Sequence, residues 1–261
     1  MKLLRRLLLL VMILVFLSGL GVMLYPYVEG YIVDRDIQNA AHEFLSQVEI
    51  TPYVPDSFGS HVLESGPTEP ANAEPTEPNE YGDLWREMLE YNQEIYRNGQ
   101  KSLDGKQSYE KPSFILKDYN LDSEVFAVLS IPILELELPV YLGATSRHMA
   151  DGAALLSQTS IPMGGRNTNA VIAGHRGWRG ANYFRYIDKL QPGDEVIITN
   201  IWEELHYAVT QIQIIQPNEV DKILIQPGRD LITLLTCHPY ASGGRQRYLV
   251  ICERIPYKPN T

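Results

Sequence analysis

The stretch Leu231-Ile232-Thr233-Leu234-Leu235-Thr236-Cys237-His238-Pro239-Tyr240 decides the fold. Residues 231–235 are apolar, include β-branched Ile232 and Thr233, and are too few for a helix between their flanks. They read as a buried strand. Thr236 and Cys237 end it, and Pro239 blocks further pairing. A thiol is thereby expected at the rim of a sheet, reachable from solvent yet held on rigid backbone. The next residues, 241–246, contain Ser242, Gly243 and Gly244 and must turn. Arg247-Tyr248-Leu249-Val250-Ile251-Cys252 then reads as the returning strand.

Treated as an antiparallel hairpin turning near Ser242, the two strands set Cys237 opposite Arg247, and directly opposed residues share a face. Arg245 becomes a diagonal neighbour on that face. The same register sets Cys252 opposite Ile232, five residues from Cys237 along the sheet. At about 3.3 Å per residue that separation is roughly 16 Å. A disulfide needs Cα atoms within about 7 Å. Cys237 is therefore expected as a free thiol and Cys252 as a small core residue.

The pattern continues outward as β structure. Strands are predicted at 125–131, 134–142, 169–174, 195–199, 205–215, 231–237 and 247–253, with a short helix at 148–156. Residues 134–138 alternate Leu-Glu-Leu-Glu-Leu, one face for the core and one for water. Many strands with few helices between them predict a mostly β domain, an antiparallel barrel or sandwich. The longer connections, 151–165 and 218–230, are where substrate contacts usually sit on such a scaffold.

The part before the barrel differs in character. Residues 1–6 carry Lys2, Arg5 and Arg6, and residues 7–25 carry no charge. A bilayer core needs about 20 apolar residues in a helix. The basic end is expected in the cytoplasm, with everything downstream outside the membrane. Tyr25-Pro26-Tyr27 reads as an interfacial aromatic belt rather than a cleavage site, so an uncleaved single-pass anchor is expected over a cleaved signal. Residues 26–50 read as a juxtamembrane helix. Residues 51–83, dense in proline and glutamate, cannot bury enough apolar surface to offset their ordering entropy and read as a linker. Residues 84–97 return to helix with Leu84, Met88, Tyr91 and Ile95 on one stripe, and 98–112 read as a polar, exposed loop.

The formal net charge of -10 argues against nucleic acid as a partner. Two cysteines are too few for a disulfide scaffold. His42, His61, His148 and His206 have no metal-ligand spacing, and no phosphate-cradling glycine loop is present, so no metal or organic cofactor is expected. His175 follows the strand Asn169-Ala170-Val171-Ile172-Ala173 and lies between Gly174 and Gly177. A thiol, an imidazole and a guanidinium together make a nucleophilic set: the thiolate attacks, the imidazole moves the proton, the arginine stabilises developing charge. Each residue alone has an ordinary reading as core cysteine, loop histidine or surface arginine, and pattern by itself leaves those readings open. His238 adjoins the thiol but faces the other way on an extended strand, which makes it a weak candidate for the base.

Three motifs carry a family resemblance. Thr233-Leu234-Leu235-Thr236-Cys237 resembles the Thr-Leu-x-Thr-Cys signature of sortases, Ala173-Gly174-His175-Arg176-Gly177 the segment around their catalytic histidine, and Arg247-Tyr248-Leu249-Val250 the strand bearing their catalytic arginine. The resemblance runs in order from about residue 125 to residue 255 and includes Ile131-Pro132-Ile133 and Asp188-Lys189-Leu190-Gln191-Pro192-Gly193-Asp194. It implies a closed, antiparallel or mixed sortase-type β-barrel over residues 119–257, preceded by a helix and lid-like loop at 84–118. Class C, the pilus-assembling branch, is most similar. The stretch corresponding to its lid, 98–112, lacks the Asp-Pro anchor usual there, with Leu103 or Tyr109 as substitutes, and the chain shows no second apolar span near Thr261.

The resemblance implies a membrane-anchored cysteine transpeptidase. Cys237, His175 and Arg247 would be catalytic, with Thr236, His238 and Arg245 as substrate or oxyanion candidates. The substrates it implies are pilins or surface proteins with Leu-Pro-x-Thr-Gly-type sorting signals, cleaved at Thr–Gly and joined to a pilin lysine. The alternatives are anchoring to peptidoglycan, a secreted cysteine protease, and a non-catalytic envelope binding module.

Overall fold

Strands β7 (Asp230–His238) and β8 (Gln246–Arg254) form the expected hairpin in the expected register, Cys237 paired with Arg247 and Ile232 with Cys252. Both cysteines are free. The computed structural model describes residues 2–48, 81–104 and 109–256. Before the hairpin come β1 (Val125–Ile131), β2 (Leu136–Leu142), β3 (Ala153–Leu155), β4 (Thr168–Ala173), β5 (Glu195–Asn200) and β6 (Glu204–Ile215). Together they close a barrel in the order β1-β2-β3-β4-β7-β8-β6-β5. Closure leaves no edge strand to template aggregation. Most neighbours are antiparallel, but β2–β3 and β4–β7 are parallel, so the barrel is mixed.

Helix α1 (Lys2–Gln47) runs unbroken through Pro26 and joins what the sequence divides into a span and a juxtamembrane helix. Among the described residues it is the one helix long and apolar enough to cross a membrane. Its C-terminal half explains why β1 is buried on both faces. Phe126, Ala127 and Leu129 belong to the barrel core, while Val125 and Val128 pack with Ala41, Phe44 and Tyr141 outside it. Helix α2 (Gly82–Arg97) presents the expected stripe. Leu84, Met88 and Ile95 are buried, and the Tyr91 hydroxyl oxygen accepts from the Ser113 hydroxyl and the Gln158 N–H, each at 3.0 Å. Asn92, buried on α2, fastens it to the barrel: its amide donates to the Ile161 carbonyl and its oxygen accepts from the Ile161 N–H, at 3.0 and 2.8 Å.

Two local expectations are corrected. The helix read at 148–156 is a single short helix α3 (Ser146–Asp151) followed by strand β3. Gly152 divides them: a Cβ there would fall 2.5 Å from the Pro139 carbonyl oxygen, so glycine alone lets the chain press against β2. The strand read from 134 begins at Leu136, because Pro132–Leu134 form a 3-10 turn and Glu135 adopts a φ of 49°. The proline-rich stretch at 51–83 falls outside the described residues apart from 81–83.

Candidate active site

Strand alternation sends β7 and β8 side chains to opposite sides of the barrel wall. Ile232, Leu234, Val250 and Cys252 join the barrel core, where burial pushes the Cys252 thiol well up. On the other face Leu235 and Leu249 pack with Leu103, Leu156, Val171, Ala173, Ile215 and Ile223. Cys237 and Arg247 sit two residues further along the same strands, on the same outer face. An apolar floor therefore leads to an exposed thiol.

Arg247 is held by its own turn: Nη1 donates to the Gly244 carbonyl at 2.7 Å and the Gln246 carbonyl at 3.1 Å. A Cβ on Gly244 would lie 3.1 Å from the Cys237 Sγ and 3.2 Å from Arg247 Nη1, so sulfur and guanidinium flank one point. Gly244, at φ 78°, keeps that point open. Arg245 lies in the turn itself, exposed, ahead of β8.

His175 reaches the same rim through the parallel pairing of β4 and β7. The last pair is Ala173–Leu235, and His175 and Cys237 each lie two residues beyond it. The junction is tied twice. The Gly174 N–H donates to the Leu235 carbonyl at 3.0 Å, and the Thr236 hydroxyl donates to the Gly174 carbonyl at 2.7 Å. Phe184 explains the glycine: a Cβ on Gly174 would fall 2.6 Å from its buried ring. The His175 ring stacks on Trp178 at 4.8 Å and meets the edge of Tyr183 at 5.8 Å. Burial between these rings holds its pKa below the ordinary imidazole value.

Thr236 is a correction. It is 1% exposed and its hydroxyl is spent on Gly174, so it lies behind Cys237, a strap between strands rather than a group on the open face. His238 also turns away from the thiol: its ring stacks on Tyr248 at 5.6 Å.

Arg176 is a neighbour of this rim whose place the sequence does not reveal. Its side chain is 6% exposed. Nη2 pairs with Asp188 Oδ2 at 2.7 Å, Nη1 donates to His238 Nδ1 at 2.9 Å and approaches the Cys237 carbonyl at 3.5 Å. Its charged carbon lies 5.4 Å from the Tyr248 ring centroid. Since arginine only donates, His238 accepts at Nδ1 and carries its proton on Nε2. The His175 segment, the Cys237 strand and residue 188 are thus clasped by one buried cation. A sequence shows an arginine beside a histidine; burial and the distant partner Asp188 are tertiary facts.

The lid-like segment follows the outer face. Gln100 is buried, its amide nitrogen donating to the Gln158 carbonyl at 3.0 Å and its oxygen accepting from the Ile225 N–H at 2.7 Å. Leu103, in a 3-10 turn at Lys101–Asp104, is 6% exposed within the apolar floor. The Tyr109 carbonyl accepts from the N–H groups of Ala144 and Ser157, while its side chain is 38% exposed. The segment read as an exposed loop is thus buried at Gln100 and Leu103, yet the thiol beyond them is open.

Comparison with known proteins places the barrel in a family. The Sortase domain family model matches residues 129–255. A Sortase A of Bacillus anthracis is 31% identical over 135 residues, covering 52% of this chain and 62% of the relative, so less than two thirds of that protein's length is matched. Among solved structures, Sortase C1 of GBS Pilus Island 1 aligns with a TM-score of 0.59 at 31% identity, covering 69% of this chain and 90% of that one. Clostridium perfringens sortase C with the C-terminal cell wall sorting motif aligns with a TM-score of 0.57 at 31% identity, covering 68% and 90%.

Proposed function

Because this chain belongs to the sortase family, we propose that it is a membrane-anchored cysteine transpeptidase that cuts a Leu-Pro-x-Thr-Gly-type sorting signal at Thr–Gly and joins the acyl part to an amine. The observation that carries this reading is the pairing of an exposed Cys237 with Arg247 at the end of an apolar floor, with His175 at the same rim. The floor suits the apolar residues of a sorting signal and the thiol suits the carbonyl that follows them.

The Cys237 thiolate attacks the Thr carbonyl carbon, and Arg247 donates to the oxyanion. The C–N bond to Gly breaks, and His175 delivers the proton to the departing amine. Burial favours this step, since an imidazolium of lowered pKa is the stronger acid. The incoming amine then attacks the thioester and gives a proton to His175, and the C–S bond breaks to return the thiolate. Arg245, exposed in the turn, is a candidate for steering the substrate.

A class C, pilin-joining role is the reading for the amine, supported by the likeness to Sortase C1 of GBS Pilus Island 1 and by a lid-like segment packed in the apolar floor. Helix α1 is the candidate anchor, its basic end in the cytoplasm and the barrel outside. The test is incubation of the full chain with a sorting-signal peptide and either a pilin lysine or a wall-precursor amine. The expected result is a thioester on Cys237, detected by mass, and product with the pilin. Cys237→Ala removes both, and wild-type turnover in that variant refutes the mechanism. Product with the wall amine alone refutes the pilin role.

A further inference from the structure

The chain as a whole is acidic, yet one face is basic and aromatic. Trp178, Tyr186 and Tyr240 are 43%, 40% and 50% exposed. Arg185 lies over both Tyr186 and Tyr240, at 5.5 and 4.8 Å from the ring centroids, and Lys189 lies 4.4 Å from that of Tyr186. A Cβ on Gly177 would lie 3.4 Å from the Tyr240 ring and 3.7 Å from the Arg185 side chain, which sets the patch beside the segment of Trp178 and Arg179. Two carboxylates beside it are paired, Glu29 with Arg179 at 3.7 Å and Asp188 with Arg176 at 2.7 Å.

The patch lies where helix α1 first meets the barrel. Residues 4–28 of α1 are exposed all round. A Cβ on Gly180 would fall 2.8 Å from the Pro26 carbonyl oxygen and 2.8 Å from the Gly30 Cα. Both glycines are needed for so close a crossing. Pro26 follows the apolar run directly, and Gly30 is five residues beyond Tyr25. At about 1.5 Å per residue, five residues advance roughly 7.5 Å along the helix. The headgroup layer on each side of a bilayer is about that deep. With α1 as the anchor, the loop at 177–181 stands at headgroup level. Exposed tryptophan, tyrosine, arginine and lysine are the side chains that layer accepts.

We propose that the face formed by Trp178, Arg179, Arg185, Tyr186, Lys189 and Tyr240 is a bilayer contact that binds anionic lipid headgroups and holds the Cys237 rim at the membrane surface. It rests on α1 being a membrane anchor. Its consequence reaches the site, since Trp178 is the ring on which His175 stacks. A barrel of net negative charge is repelled by an anionic surface in most orientations, and this face selects the one that points the thiol toward a substrate emerging from the bilayer.

The full chain is reconstituted in phosphatidylcholine vesicles with and without phosphatidylglycerol, floated, and read by tryptophan fluorescence with nitroxide lipids labelled at the headgroup or at the acyl terminus. The Trp178 signal is the part lost in Trp178→Phe. The expected result is quenching of that part by the headgroup label, stronger with phosphatidylglycerol, and loss of this lipid dependence in Arg185→Glu/Lys189→Glu. Quenching equal in both lipids, or absent from a chain that floats, overturns the proposal and leaves the anchor standing. A chain that does not float overturns both.

Discussion

Replacing Thr236 by valine isolates one hydrogen bond that joins the ends of β4 and β7, beside His175 and Cys237. The side chain is 1% exposed and its hydroxyl donates 2.7 Å to the Gly174 carbonyl, the residue before His175. Valine has the same shape, so no cavity opens and no packing is lost; what remains is a buried carbonyl without that donor. Such an acceptor costs about 1–3 kcal/mol. For a domain of this size each kcal/mol moves Tm by about 2–4 °C, so a fall of roughly 2–12 °C is expected. Catalysis has an upper bound from the same number. If all the lost free energy appears as misplacement of His175 against Cys237, kcat/KM falls by about 5- to 150-fold. Thr236→Ser keeps the donor and should keep near-wild-type kcat. Urea unfolding of the full chain in detergent, and turnover of a sorting-signal peptide with an amine, read the two effects. Thr236→Val within about 0.5 kcal/mol of wild type, with unchanged kcat, would refute the strap.

Burial between Trp178 and Tyr183 favours neutral His175, so the folded state holds fewer protons than the unfolded one below pH about 6.5, and stability from this group declines as pH falls through that window. Trp178→Ala should raise its NMR titration midpoint toward the ordinary value, and a midpoint that stays put contradicts burial as the cause. Glu203 behaves in the opposite sense: burial, eased by Arg254 and reinforced by Asp230, raises it to about 7. The folded state then keeps a proton that the unfolded state releases above pH about 4.5, so stability falls as pH rises from there to 7. Glu203→Gln should flatten that slope in urea midpoints, and an unchanged slope shows that another group sets it. Leu103→Asp places a charge in the apolar floor and should lift the lid-like segment; KM for a sorting-signal peptide is expected to fall, and an unchanged or higher KM means the segment does not compete with substrate.

What the sequence by itself determined was local. A short apolar run, a proline stop and a glycine-rich turn place β7, β8 and their register, because strand period and hairpin geometry act over a few residues, and with them the pairing of Cys237 with Arg247. The apolar stripe of α2 and the apolar span within α1 were legible for the same reason. Tertiary structure decided what depends on partners remote in sequence. The parallel pairing of β4 with β7 brings His175 to the rim across sixty residues, and a crossover leaves no local trace in either strand. Strand β3 exists because β2 and β4 bracket residues that alone read as helix. Thr236 turns inward to Gly174, Arg176 lies buried against Asp188, and Leu103 sinks into the floor because each finds a polar partner or an apolar cavity that only the closed barrel creates.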